Sequence, residues 1–126
     1  MIVKKAKPEI QAPNIIASGT FIKGDIESEG DFRIEGKIIG SVKAKGKIVI
    51  GETGSFEGEI YCTNADISGD VNARLEVNEG LILRASSKFS GDVITKKIAI
   101  ETGAVFSGTC KMIRNTNETV IETPVK

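Results

Sequence analysis

The sequence predicts an all-β chain: a single right-handed parallel β-helix, or solenoid, of about six ~17-residue turns over residues 14–113, with disordered tails at 1–13 and 114–126. Three observations carry this. KIVIGETGSFEGEI at residues 47–60 nearly recurs as KIAIETGAVFSGTC at 97–110, with five of fourteen positions identical. Apolar and polar residues alternate within short segments, the period-2 signature of a strand with one buried face. The chain has 14 Gly, five Phe, one Tyr and no Trp, a composition suited to many short strands and turns.

The repeat is resolved by aligning each apolar-x-Gly-x-apolar segment. These are Ile22-Lys-Gly24-Asp-Ile26, Ile38-Ile-Gly40-Ser-Val42, Phe56-Glu-Gly58-Glu-Ile60, Phe89-Ser-Gly91-Asp-Val93 and Phe106-Ser-Gly108-Thr-Cys110. The glycine spacings are 16, 18, 33 and 17, so the long gap hides one copy. Ala73-Arg-Leu75-Glu-Val77 fills it, with Leu75 in the glycine column. A second column of apolar pairs runs in phase: Phe32/Ile34, Ile48/Ile50, Ala65/Ile67, Leu81/Leu83 and Ile98/Ile100. A third holds Ser28, Ala44, Cys62, Glu79, Thr95 and Met112, and Glu79 breaks its apolar rule, which predicts a bulge or shifted register there. The opening pair is thus two samples of one repeat, three turns apart. No segment sustains a 3.6-residue period, which excludes a helical reading. Turn length drifts between 16 and 18 without a strict hexad, which favours a right-handed coil.

Stacked turns predict ladders of like on like, and glycine at the corners supplies positive φ or close backbone approach. Repeated Phe-x-Gly is therefore corner chemistry; no GxxxxGK[ST] phosphate loop is present.

A solenoid exposes unpaired backbone and a cross-section of core at each end, and monomeric solenoids cover these with polar caps. None is legible here. The first turns carry Phe21, Ile22, Ile26, Phe32 and Ile34; the last carry Ile98, Ile100, Val105, Phe106, Cys110 and Met112. These eleven residues are the expected polymerisation interface, and the expected partner is the chain itself. Residues 8–16 (PEIQAPNII) offer a competing arrangement in which the tail folds over the first turn.

Residues 14–60 resemble the bactofilins, bacterial polymer-forming cytoskeletal proteins. The most specific matches are Gly19-Thr20, Gly24-Asp25, Glu29-Gly30-Asp31, Arg33-Ile34, Gly36 and Gly40-Ser41-Val42. The resemblance extends over roughly 14–113. It implies a right-handed β-helix and filaments formed end to end without nucleotide and without overall polarity. It further implies attachment to the inner face of the cytoplasmic membrane, and cell-wall enzymes or other envelope proteins as partners. The family often begins with an apolar-basic membrane-targeting peptide. Met1, Lys4, Ala6 and Lys7 match it, and Ile2 stands where the family commonly has Phe. Met1, Ile2, Val3, Lys4, Lys5 and Lys7 are the expected membrane contact, with anionic lipid attracting each lysine by ~1 kcal/mol.

Charge is balanced at 17 basic and 17 acidic residues, with no basic field for nucleic acid. There is no His, which removes Ser-His-Asp and Cys-His catalysis and His-based zinc sites. No cofactor and no enzymatic activity are expected. Cys62 and Cys110, three turns or ~14 Å apart along the axis, are expected to be buried free thiols. No apolar run approaches a membrane span and no secretory signal is evident, giving a cytosolic expectation. The alternative function is a monomeric solenoid presenting a flat strand face to a ligand or wall polymer.

Overall fold

The computed structural model describes residues 14–113 together with the strand at 120–125. The strands are β1 (Asn14–Ile16), β2 (Phe21–Ser28), β3 (Phe32–Ile34), β4 (Lys37–Ala44), β5 (Lys47–Ile50), β6 (Ser55–Ile67), β7 (Asp70–Leu83), β8 (Lys88–Ile100), β9 (Val105–Ile113) and β10 (Val120–Val125). All pairings from β1 to β9 are parallel, each strand meeting its counterpart one turn on. A parallel β-solenoid of about six turns results. Early turns split into two strands. From β6 onward one strand covers both positions, because residues 55–61 continue the β4 column and 64–67 the β5 column.

Alternation places every second side chain inside, and stacking turns those positions into ladders. One ladder is Ile22, Ile38, Phe56, Val71, Phe89 and Phe106; the next is Ile26, Val42, Ile60, Leu75, Val93 and Cys110. The paired column of the second face is as expected, from Phe32/Ile34 to Ile98/Ile100. Between the end turns these side chains are almost wholly buried, and each large one contributes ~1.5–3 kcal/mol.

The fourth turn differs from the expected register. Ala73, not Leu75, faces Gly58 and Gly91; Leu75 joins Ile60 and Val93, and Val71 joins the phenylalanines. A slip of two residues leaves each side chain on its own face, so alternation is blind to it. The slack is absorbed where Glu79 had signalled trouble: the ladder shifts between Val77 and Gly80, and Val77 rather than Glu79 occupies the inward column. Glu79 reaches across to Lys96 at 3.5 Å.

The corner glycines Gly40, Gly58 and Gly108 have φ of 142°, 131° and 143°. A Cβ at Gly58 would overlap the carbonyl oxygen of Gly40, so both conformation and close approach demand glycine. The shifted Glu-Thr-Gly of the repeat is also explained. Gly54 donates to the Gly51 carbonyl (2.9 Å) and Ala104 to that of Glu101 (3.0 Å), so equivalent turns read the tripeptide in two frames.

Candidate assembly surfaces at the two ends of the solenoid

The N-terminal end is formed by β1 and β2. Asn14-Ile15-Ile16 lies 18 residues before Phe32–Ile34, within the repeat, and adds one more rung. This moves the end. Phe32 (5% exposed) and Ile34 (0%) were expected at the interface but lie beneath β1. In their place the outermost ladder residues are Ile16, Ile22 and Ile26, all half-buried against the core. Ile15 and Phe21 are 59% and 57% exposed. Phe21 alternates away from the core and sits between Lys23 and Lys37, whose Nζ atoms lie 5.9 and 5.7 Å from its ring centroid. Gly24 keeps the corner conformation (φ 136°), yet nothing lies within 4 Å of the Cβ it lacks.

The C-terminal end is formed by the last part of β8 and by β9. Ile98 and Ile100 end the paired ladders, and Ile100 is 40% exposed. Phe106 stacks on Phe89 with centroids 5.4 Å apart and planes 16° from parallel. Among the described residues, no further turn covers its other side. Val105 shares the outward column of Phe21, with Lys37, Ser55, Asp70 and Lys88 between them. Both ends of an otherwise polar column thus carry an exposed apolar residue.

The C-terminal end is also partly covered. Residues 114–126 were expected to be a flexible tail, but β10 runs antiparallel along residues 108–113 of β9. Cys110, expected at the interface, is 1% exposed and pairs with Thr123. The β-branched residues Val120, Ile121, Thr123 and Val125 suit a strand, and the proline among them, Pro124, is tolerated on an edge strand such as this. The expected membrane residues Met1, Ile2, Val3, Lys4, Lys5 and Lys7 lie outside the described residues.

Between the ends, polar contacts tie turn to turn. Arg84 binds Asp66 through two nitrogens (2.7 and 3.0 Å) and Glu101 through a third (3.0 Å). Hydrogen bonds to Asp66, then Glu101, hold its guanidinium still more firmly protonated than usual. Cys62 and Cys110 are free, and burial pushes the Cys62 thiol up to about 12 and that of Cys110 upward. Neutral thiols at ordinary pH are poor nucleophiles. Among the described residues, no three His, Cys, Asp or Glu side chains converge on a point that could hold a metal.

Two apolar ends that the described strands leave partly open, on a continuous parallel stack, define a class: a β-solenoid that stacks on other copies. Comparison with known proteins agrees. The family model for bactofilin, described as polymer-forming cytoskeletal, matches residues 14–111. The chain belongs to the bactofilin family. It is 27% identical to bactofilin BacO of Myxococcus xanthus over 103 residues, 82% of either chain. It is 21% identical to BacP of the same organism over 98 residues, 78% of this chain and 41% of BacP. The structure resembles that of Thermus thermophilus bactofilin in double helical filaments, solved by cryo-electron microscopy (TM-score 0.74, 31% identity, 77% of this chain and 96% of that one). It also resembles a crystal structure of a Thermus thermophilus bactofilin carrying a phenylalanine-to-arginine substitution (TM-score 0.68, 27% identity, 71% and 100%).

Proposed function

We propose that this chain is a cytoskeletal structural protein that assembles end to end into nucleotide-independent filaments at the inner face of the cytoplasmic membrane. There it scaffolds cell-shape or cell-wall machinery. The observation that carries the assembly is that the core ladders run the length of the described solenoid and end at Ile16, Ile22 and Ile26 on one side and at Ile98, Ile100 and Phe106 on the other, where no further described strand covers them. A further copy at each end extends both the hydrogen-bonded ladder and the apolar core. Two-fold joints are self-complementary, since each patch meets itself, and joints of this kind at both ends give a filament without polarity. The drive is burial of apolar surface, which requires no nucleotide.

Membrane association follows from Lys4, Lys5 and Lys7 beside Met1-Ile2-Val3. One such tail anchors weakly, at ~1 kcal/mol per lysine. A filament displays many, and avidity makes the attachment stable. The test is co-sedimentation with anionic vesicles of the full chain and of a variant lacking residues 1–7. Loss of binding in the variant is expected; equal sedimentation of both would remove the membrane role. Assembly is tested separately, by size-exclusion chromatography and electron microscopy without nucleotide. A 13.4 kDa monomer at all concentrations would favour a solenoid binding module instead.

A further inference from the structure

From the placement of β10 we infer that the C-terminal strand is a detachable cap that regulates addition at this end of the solenoid. The inference rests on the end-to-end reading above. From β1 to β9 every strand pairing is parallel; β10 alone runs antiparallel. Its partners are residues 108–113, from Val125 opposite Gly108 to Val120 opposite Ile113. A strand edge presents one row of donors and acceptors, so it accepts one partner at a time. The same row is the edge on which a further copy's strand would add. Docking of β10 and docking of that strand on residues 108–113 are therefore mutually exclusive.

The cap covers only part of the end. Among the described residues, no strand lies on the outer side of residues 97–100 of β8 and 105–107 of β9, which include Ile98, Ile100, Val105 and Phe106. These form an open foothold on which an incoming copy seats before it displaces β10. The connection from β9 to β10 is six residues, 114–119, which keeps the cap at high effective concentration against a dilute competitor. Two features keep the cap from being permanent or from nucleating polymer itself. It is a single strand of six residues paired on one side, and Pro124, tolerated where its nitrogen faces the open edge, leaves that edge one donor short for a further strand.

A cap docked about nine-tenths of the time leaves roughly one chain in ten competent, which raises the critical concentration about tenfold. Two variants of the full chain test this by sedimentation and light scattering. Ile121→Pro combined with Thr123→Pro, at positions of opposite parity to Pro124, deprives the strand of two donors toward β9 and releases it. Its critical concentration is expected to fall about tenfold, with the circular dichroism of the solenoid retained. Thr123→Cys places a thiol opposite the native Cys110. Directly opposed residues of an antiparallel pair have Cα atoms about 4.5–5.5 Å apart, within the range a disulfide spans. Once the intramolecular disulfide is verified by mass spectrometry, the oxidised chain is expected to stop at a dimer joined through its N-terminal ends and to form polymer when reduced. The cap is overturned if the double-proline variant assembles at an unchanged or higher concentration, or if the disulfide-locked chain assembles as readily as the reduced one. If wild type also forms no polymer at any concentration, end-to-end assembly falls and the cap falls with it. Normal wild-type filaments beside unresponsive variants confine the failure to the cap.

Discussion

Phe89-Ser90-Gly91 and Phe106-Ser107-Gly108 are the same tripeptide in adjacent turns, and their phenylalanine rings stack. Phe89 is 1% exposed, while Phe106 is only partly buried against the core. The residues do not differ; what lies beyond them does. In a solenoid, a side chain's role is set by the number of turns that cover it. The same apolar residue is core in the middle and interface at the end.

Substitution can break this comparison most severely at phenylalanine. Phe56→Arg forfeits about 3–5 kcal/mol of packing and buries an unpaired charge. Against a total stability of about 5–15 kcal/mol, the chain is expected to show no cooperative unfolding transition by circular dichroism. Phe106→Arg is expected to remain folded, with a melting temperature within a few degrees of wild type, and to form no filaments.

Glycine gives the next contrast. Gly58 and Gly24 have nearly equal φ, 131° and 136°, so alanine strains the backbone alike at both, by about 1–3 kcal/mol. Only at Gly58 would the added methyl also overlap the preceding turn. Urea unfolding in the Phe106→Arg background should therefore show Gly58→Ala destabilising well beyond Gly24→Ala. Equal losses would mean that close stacking does not matter at the corner.

Ion pairs are a smaller effect. Arg84→Ala strands Asp66, whose side chain is 13% exposed, whereas Arg33→Ala leaves Glu35, 25% exposed, still accepting from the Thr53 hydroxyl. The first is expected to lower the melting temperature more than the second, measured side by side.

The smallest effect is alkaline. The Cys62 thiol ionises near 9 when unfolded and about 12 when folded. A raised folded value means that its contribution is complete below pH 9 and is lost as pH rises toward 12. Cys62→Ser should therefore flatten part of the fall in stability over that window, whatever constant offset the buried hydroxyl adds, whereas a changed slope below pH 8 would contradict it.

Much of this fold was legible because stacking repeats a short pattern. The period, the strand faces and the paired column from Phe32/Ile34 to Ile98/Ile100 all follow from alternation and spacing. Alternation could not register the two-residue slip at Ala73, because both registers bury the same faces. Glu79 nonetheless marked where the slack lay. The ends were harder to read than the middle. Each boundary rung is short and has a described neighbour on one side only, so too few residues alternate there to identify a strand, even where the spacing of 18 before Phe32 fits the repeat. Asn14–Ile16 and Val120–Val125 are such rungs, and they explain why Phe32, Ile34 and Cys110 are covered.

Electron microscopy of the purified full-length chain beside Phe106→Arg, without nucleotide, most directly tests whether uncovered ladders drive assembly. Filaments from wild type, and only folded chains no larger than dimers from the variant, are expected. Wild-type monomers alone, or filaments of equal abundance from both chains, would contradict it.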